Sequence, residues 1–358
     1  MKMLNIRHKL HSALSRVGLA VLAAVCLSAC DSMIYDDEGD CSVHYRVSFR
    51  YIKNILQADA FGPQVSDVSL YVFDKSGNLV ISKTETRALT TENNFYMDID
   101  LLPGKYDMIA WCGGQSLNPE ATRFEVDNAD SPTTMRELGA TLPLSGSAPG
   151  LYSDLDINRL YHGIAYDVEC KDVDYGHIDL PVIYLTKDTN HLSVLMQNID
   201  GYTLDKDLFS FTIEAANSRL TYMNDVVGSP EFVYRPWSVE TSFASFDQNE
   251  PGARATMEDT EIPSGVLAEF TTGRLMADRE QYLTVRRTDT GDVILRIPLV
   301  NYLLKVKGKY QAIKGDQNYL DCYDDYTLMF FVGEGMTWVK TRVFINGWRI
   351  VPSQDTEL

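Results

Sequence analysis

The chain has 358 residues, 45% hydrophobic and 23% charged, with 50 Asp plus Glu against 32 Lys plus Arg. Its formal net charge of −18 repels nucleic acid and anionic headgroups, which sets nucleic-acid binding aside. A chain this long buries a sizeable core without a dense disulfide framework.

Taken from the start, the chain opens with an export signal. Lys2, Arg7, Lys9 and Arg16 precede or flank an uncharged apolar stretch from Val17 to Cys26, positive first and apolar second. That stretch is shorter than the ~20 helical residues a bilayer needs, so cleavage is expected rather than a permanent span. Leu27-Ser28-Ala29-Cys30 resembles the lipobox of bacterial lipoproteins: an apolar residue, two small ones for signal-peptidase recognition, and a cysteine whose thiol takes lipid. Residues 1–29 are therefore expected to be removed and Cys30 acylated, making the membrane a partner through lipid. Two or three acyl chains, at ~0.8 kcal/mol per buried methylene, hold such a protein almost permanently. Loss of the four basic residues leaves 28 Lys plus Arg against 50 Asp plus Glu, a net charge of −22. Residues 30–40 are acidic and poor in core residues, a tether.

Folded structure begins where Val43, Tyr45, Val47, Phe49 and Tyr51 alternate with polar residues, the period of a strand with one buried face. Strands are predicted next at Val68 to Asp74, Phe95 to Leu101 and Tyr106 to Trp111, punctuated by Lys75-Ser76-Gly77-Asn78 and Pro103-Gly104. After Thr186 follow His191 to Gln197, Leu208 to Ala215, Gln281 to Arg287, Asp292 to Leu299, Tyr326 to Val332 and Trp338 to Asn346. Thr288-Asp289-Thr290-Gly291 marks a hairpin loop. Helix is expected only at Thr133 to Ala140 and Pro298 to Lys307. Many short strands with turn signals predict an all-β protein built as β-sandwiches, and the length predicts two in tandem. The join is placed at Lys187-Asp188-Thr189-Asn190, giving domains of residues 41–186 and 187–358.

Chemistry-bearing patterns are sparse. No His-x-x-x-His pair, Gly-x-Ser-x-Gly elbow or phosphate loop occurs, so no catalytic residue, metal or cofactor is predicted. Asp154-Leu155-Asp156-Ile157-Asn158 resembles the start of a calcium loop, but Arg159 and Ala165 replace the glycine and glutamate it needs. Asp321, Asp324 and Asp325 beside Cys322 read as a solvated turn. Beyond Cys30, the cysteines Cys41, Cys112, Cys170 and Cys322 allow up to two disulfides or a set of buried free thiols. The 20 tyrosines pack between sheets or line a binding face.

Several segments together resemble one family. They are Val47-Ser48-Phe49-Arg50-Tyr51, Ala58-Asp59-Ala60-Phe61, Val68-Ser69-Leu70-Tyr71-Val72-Phe73-Asp74, Leu102-Pro103-Gly104-Lys105-Tyr106 and Ala110-Trp111-Cys112-Gly113. Gln317-Asn318-Tyr319-Leu320-Asp321, Tyr326-Thr327-Leu328, Trp338 and Ile345-Asn346-Gly347-Trp348 continue the series. The set is similar to the FimB-type fimbrial anchor and accessory subunits of Bacteroidota. The resemblance implies two transthyretin-like β-sandwich domains in a non-enzymatic outer-membrane lipoprotein. Such a protein attaches a type V fimbria to the cell, influences its length, and meets fimbrial subunits by β-strand addition. Pro352-Ser353-Gln354-Asp355-Thr356-Glu357-Leu358 departs from a donor strand, because it is polar and opened by a proline. A tip adhesin, or a surface lipoprotein of a polysaccharide-uptake system with a glycan ligand, are the alternative expectations.

Overall fold

The structure, a computed structural model, describes residues 43–114, 118, 120–173, 176–200, 202–244, 262–310 and 312–350. These residues build an all-β sandwich protein whose α-helices are the short Phe61–Gln64, Leu299–Leu304 and Asp316–Cys322. They fall into two compact units. In the smaller, which includes His44 and His177, those two rings stack with centroids 5.4 Å apart. The larger unit holds Tyr45–Asp172 and everything described from Asp179 onward.

Within the larger unit, a first sheet centres on residues 45–50 of the strand Val43–Arg50. Tyr45 lies opposite Ile99 of the antiparallel Tyr96–Ile99, and Phe49 opposite Ile183 of the parallel Ile183–Tyr184. A second sheet runs in the order Thr186–Lys187, Arg159–Cys170, Gly104–Gly114, Asp67–Asp74, Leu79–Thr86. The alternation read from the sequence now has its cause: Tyr45, Val47 and Phe49 are buried while Arg46 and Ser48 are only partly covered. The two sheets meet where the Tyr51 and Tyr161 rings pack at 5.1 Å and where Gly163 lets Ile183 and Leu185 approach the backbone. The second sheet is covered on both faces, which explains the unbroken apolar run Leu70–Phe73. Tyr71, Phe73, Ile109 and Trp111 on its other face join a core that continues through Phe124, Leu138 and Ala140.

A third sheet has the order Ser238–Ala244, Ile262–Gly273, Thr189–Asn198, Asp325–Val332, Trp338–Ile345, Trp348–Ile350. A fourth has Val293–Pro298, Tyr282–Arg287, Phe209–Ala215, Phe232–Tyr234, Tyr152–Ser153. Leu192, Val194 and Met196 of the third share one core with Phe211, Ile213, Leu283 and Val285 of the fourth. Two early segments cross to these later partners: Tyr152 pairs with Val233, and Thr141 with Arg219.

Turn chemistry fixes the hairpins. Asp74 Oδ1 accepts from the Ser76 and Asn78 N–H groups, each at 2.9 Å, while Gly77 takes φ 87°. At Asn346-Gly347 both φ angles are positive, 51° and 76°, as a two-residue hairpin turn requires, and Asn346 Oδ1 accepts from Thr327 N–H at 2.8 Å. Leu299–Leu304 supplies the helical turn expected after Pro298. The other expected helix shrinks to the 3₁₀ turn Met135–Glu137 followed by the strand Ala140–Thr141. There Glu137 folds back to accept from the Thr133 hydroxyl at 2.6 Å, and Leu138 and Ala140 go to the core instead of continuing a turn.

Candidate functional site

The face of the second sheet that carries Tyr71 and Trp111 also borders an open groove of about 920 Å³. Its floor and walls include Ser69, Ser82, Thr84, Arg123 and Arg159, so hydroxyls and charges face the opening. Ser69 and Thr84 are cross-strand neighbours whose hydroxyls lie 2.8 Å apart. Tyr71 and Trp111 also border it, but both rings are only 2% exposed and Trp111 Nε1 donates to Leu138 O at 2.9 Å. A ring held that way lends no stacking face to a sugar.

The groove borders the strand Leu79–Thr86, which ends the sheet and pairs on one side only among the described residues. An open strand edge offers unpaired N–H and C=O groups to another chain. Lys83 guards its inner face: Nζ donates to Asp98 O at 2.8 Å and pairs with Glu85 at 2.8 Å.

Residues 188–190 of the expected join lie inside the protein. Asp188, Thr189 and Asn190 are buried, with Asn224 Nδ2 donating to Asp188 Oδ1 at 2.8 Å and Asn190 Nδ2 donating to Gly273 O at 3.1 Å. Arg274 clasps Asp321 through two bonds of 3.0 and 2.9 Å, and Lys53 Nζ reaches the same carboxylate at 2.6 Å. Burial raises the Asp321 carboxyl, but those cations outweigh it and hold the group below its ordinary range. Asp321 is thus a buried hub, and only Asp324 and Asp325 of the expected solvated turn stay at the surface side. Lys187 pairs with Asp324, and burial pulls its ammonium down to about 7. His191 is bracketed by Asp325 at 3.2 Å and Glu269 at 2.9 Å, which push it up to about 9. The calcium-like Asp156 serves as an internal acceptor for Thr271 and for Ile157 N–H.

Leu27, Ser28, Ala29, Cys30 and Cys41 lie outside the described residues. Cys112, Cys170 and Cys322 are buried and free. Cys112 lies opposite Tyr161 and Cys170 opposite Gly104 in one strand pair. That spacing separates the two sulfurs by roughly 27 Å, beyond any disulfide. Burial pushes the Cys112 thiol up and Cys170 to about 11, so both stay protonated and unreactive.

A family model of the fimbrillin-A associated anchor proteins Mfa1 and Mfa2 matches residues 37–353. The chain belongs to this family. The minor fimbrium anchoring subunit Mfa2 of Porphyromonas gingivalis is 24% identical over 341 residues, spanning 93% of this chain and 92% of the relative. A crystal structure of a candidate adhesin from Bacteroides thetaiotaomicron is 27% identical with a TM-score of 0.70, covering 88% of this chain and 99% of that one. The solved fimbrial anchor protein Mfa2 of P. gingivalis shares the fold, with a TM-score of 0.62 and 19% identity over 87% of this chain and 100% of that one. A fimbrial anchor family is a family of cell-surface components.

Proposed function

We propose that this family member is an outer-membrane lipoprotein, acylated at Cys30 after loss of residues 1–29, that anchors a type V fimbria and influences its length. The role is mechanical and non-enzymatic: lipid at one end, fimbrial subunits at the other. The match of residues 37–353 to a fimbrial anchor family is the observation that carries this reading. It is supported by the Leu27-Ser28-Ala29-Cys30 sequence, and no helix among the described residues is long and apolar enough to cross a membrane. The domain reading, 41–186 and 187–358 as two transthyretin-like sandwiches, is supported by the change of sheet between Thr186–Lys187 and Thr189–Asn198.

The neighbouring subunit adds a strand along Leu79–Thr86, with alternate side chains over the groove at Ser69 and Thr84. Cells lacking the chain should shed fimbrial subunits into the medium, and the wild-type chain supplied in trans should return them to the envelope. Fimbriae that stay cell-bound without the chain would overturn the reading.

A further inference from the structure

Asp188 sits where the chain passes from the second sheet to the third, its N–H donating to Leu160 O at 2.8 Å and its side chain fully buried. Four elements bring polar groups to it. Asn224, in the turn 221–225, donates Nδ2 to Asp188 Oδ1 at 2.8 Å. Arg274, just past the strand Ile262–Gly273, holds Nε 3.8 Å from the same oxygen. Asp321 on the helix Asp316–Cys322, with Lys53 and the Tyr51 phenol beyond the first strand, complete the set.

Both cations are committed elsewhere, Arg274 and Lys53 each to Asp321. Asp188 therefore faces a guanidinium that does not hydrogen-bond to it. Two buried acceptors are left without a donor, Asp188 Oδ2 and Asn224 Oδ1, and they belong to the same two planar groups that already share one hydrogen bond. An unmet buried acceptor is destabilising, and one hydrogen on the carboxyl meets both needs, since a protonated acid donates where a carboxylate cannot. We propose that Asp188 carries a proton and pairs with Asn224 as a two-point acid–amide ring, so that proton uptake fastens the turn 221–225 to the buried joint and proton loss loosens it to a single bond. Burial, opposed by Arg274, pushes this carboxyl up to about 7, in the range where such a switch works.

Other fastenings of the turn do not titrate there, among them the bond from Arg274 Nη1 to Asn224 O. His162 Nε2 meets Tyr222 O at 2.9 Å, and burial pulls this imidazole down to about 4, so it stays neutral from mildly acid to alkaline pH.

The test is amide hydrogen exchange of the full chain across residues 219–228 at about pH 5.5 and about pH 8.5, corrected for intrinsic rates. Wild-type protection should fall about tenfold at the higher pH. In Asp188→Asn the added amide donates permanently, so protection should match the acid wild type at both values. In Asn224→Ala, protection should be low at both, which keeps the test decisive should the first variant fold poorly. Wild-type protection that ignores pH would overturn the proposal, and so would either variant that keeps the wild-type dependence.

Discussion

Deletion of residues 338–358 should unfold the part of the protein built on the third sheet, whereas deletion of residues 352–358 should leave it folded. The strand Trp338–Ile345 pairs along Asp325–Val332, with Val343 and Ile345 fully buried and Trp338 9% exposed. Losing three such side chains costs roughly 4.5–9 kcal/mol at ~1.5–3 kcal/mol each, against a typical stability of ~5–15 kcal/mol. At ~2–4 °C per kcal/mol, the melting temperature should drop by about 10 °C or more. The alternative, a free donor strand awaiting a neighbouring subunit, predicts a stable monomer that fails only in assembly. Calorimetric melts of both truncations beside the full chain separate the two, and a melting temperature within about 2 °C of the full chain after the longer deletion would refute the core-strand assignment.

Other substitutions probe single links. Trp111→Phe removes the bond to Leu138 O and part of a buried ring, and should cost about 1–3 kcal/mol in denaturant titration with no change in m-value. Asp188→Asn should become progressively more stable than wild type as pH rises. A carboxyl lifted from 3.8 to about 7 penalises the fold above its unfolded pKa, so the difference grows from pH ~4 to an upper bound of about 4 kcal/mol above pH ~7. His191→Gln should act in the opposite sense. His191 is raised by Asp325 and Glu269, so its contribution is complete below pH ~6.5 and fades as pH passes about 9, and paired melts at pH ~6 and ~10 should show a deficit only at the lower value.

Much of the fold is local chemistry and could be read from the sequence. The strand Val43–Arg50 announces itself by period two, and the turns at Gly77 and Gly291 by a residue that tolerates positive φ, whereas the turn at Asn346-Gly347 was not read from the sequence. The last strand was legible only in its second half. Val343 and Ile345 are buried as alternation predicts, but five steps from Trp338 to Val343 oppose two from Val332 to Phe330, and this irregularity turns Trp338 inward. The strand Arg159–Cys170 gave no periodic signal because it is buried on both faces near Leu160–Gly163 and kinked at Asp167, φ 54°. Asp188 read only as part of the expected join, and Asp321 as a solvated turn residue, because their burial partners Arg274 and Lys53 lie far away in sequence. The groove was invisible for the same reason, its walls arriving from separated segments at Ser69, Ser82, Arg123 and Arg159.

Attachment through one thiol is the claim on which the anchoring account rests. Metabolic labelling with a palmitate analogue, followed by fractionation of cells carrying wild type or Cys30→Ala, tests it directly. The account predicts label on the wild-type chain in the outer membrane, and an unlabelled Cys30→Ala chain that is either released in soluble form or retained unprocessed. A Cys30→Ala chain that is cleaved, unlabelled and still as tightly membrane-bound as wild type would contradict it.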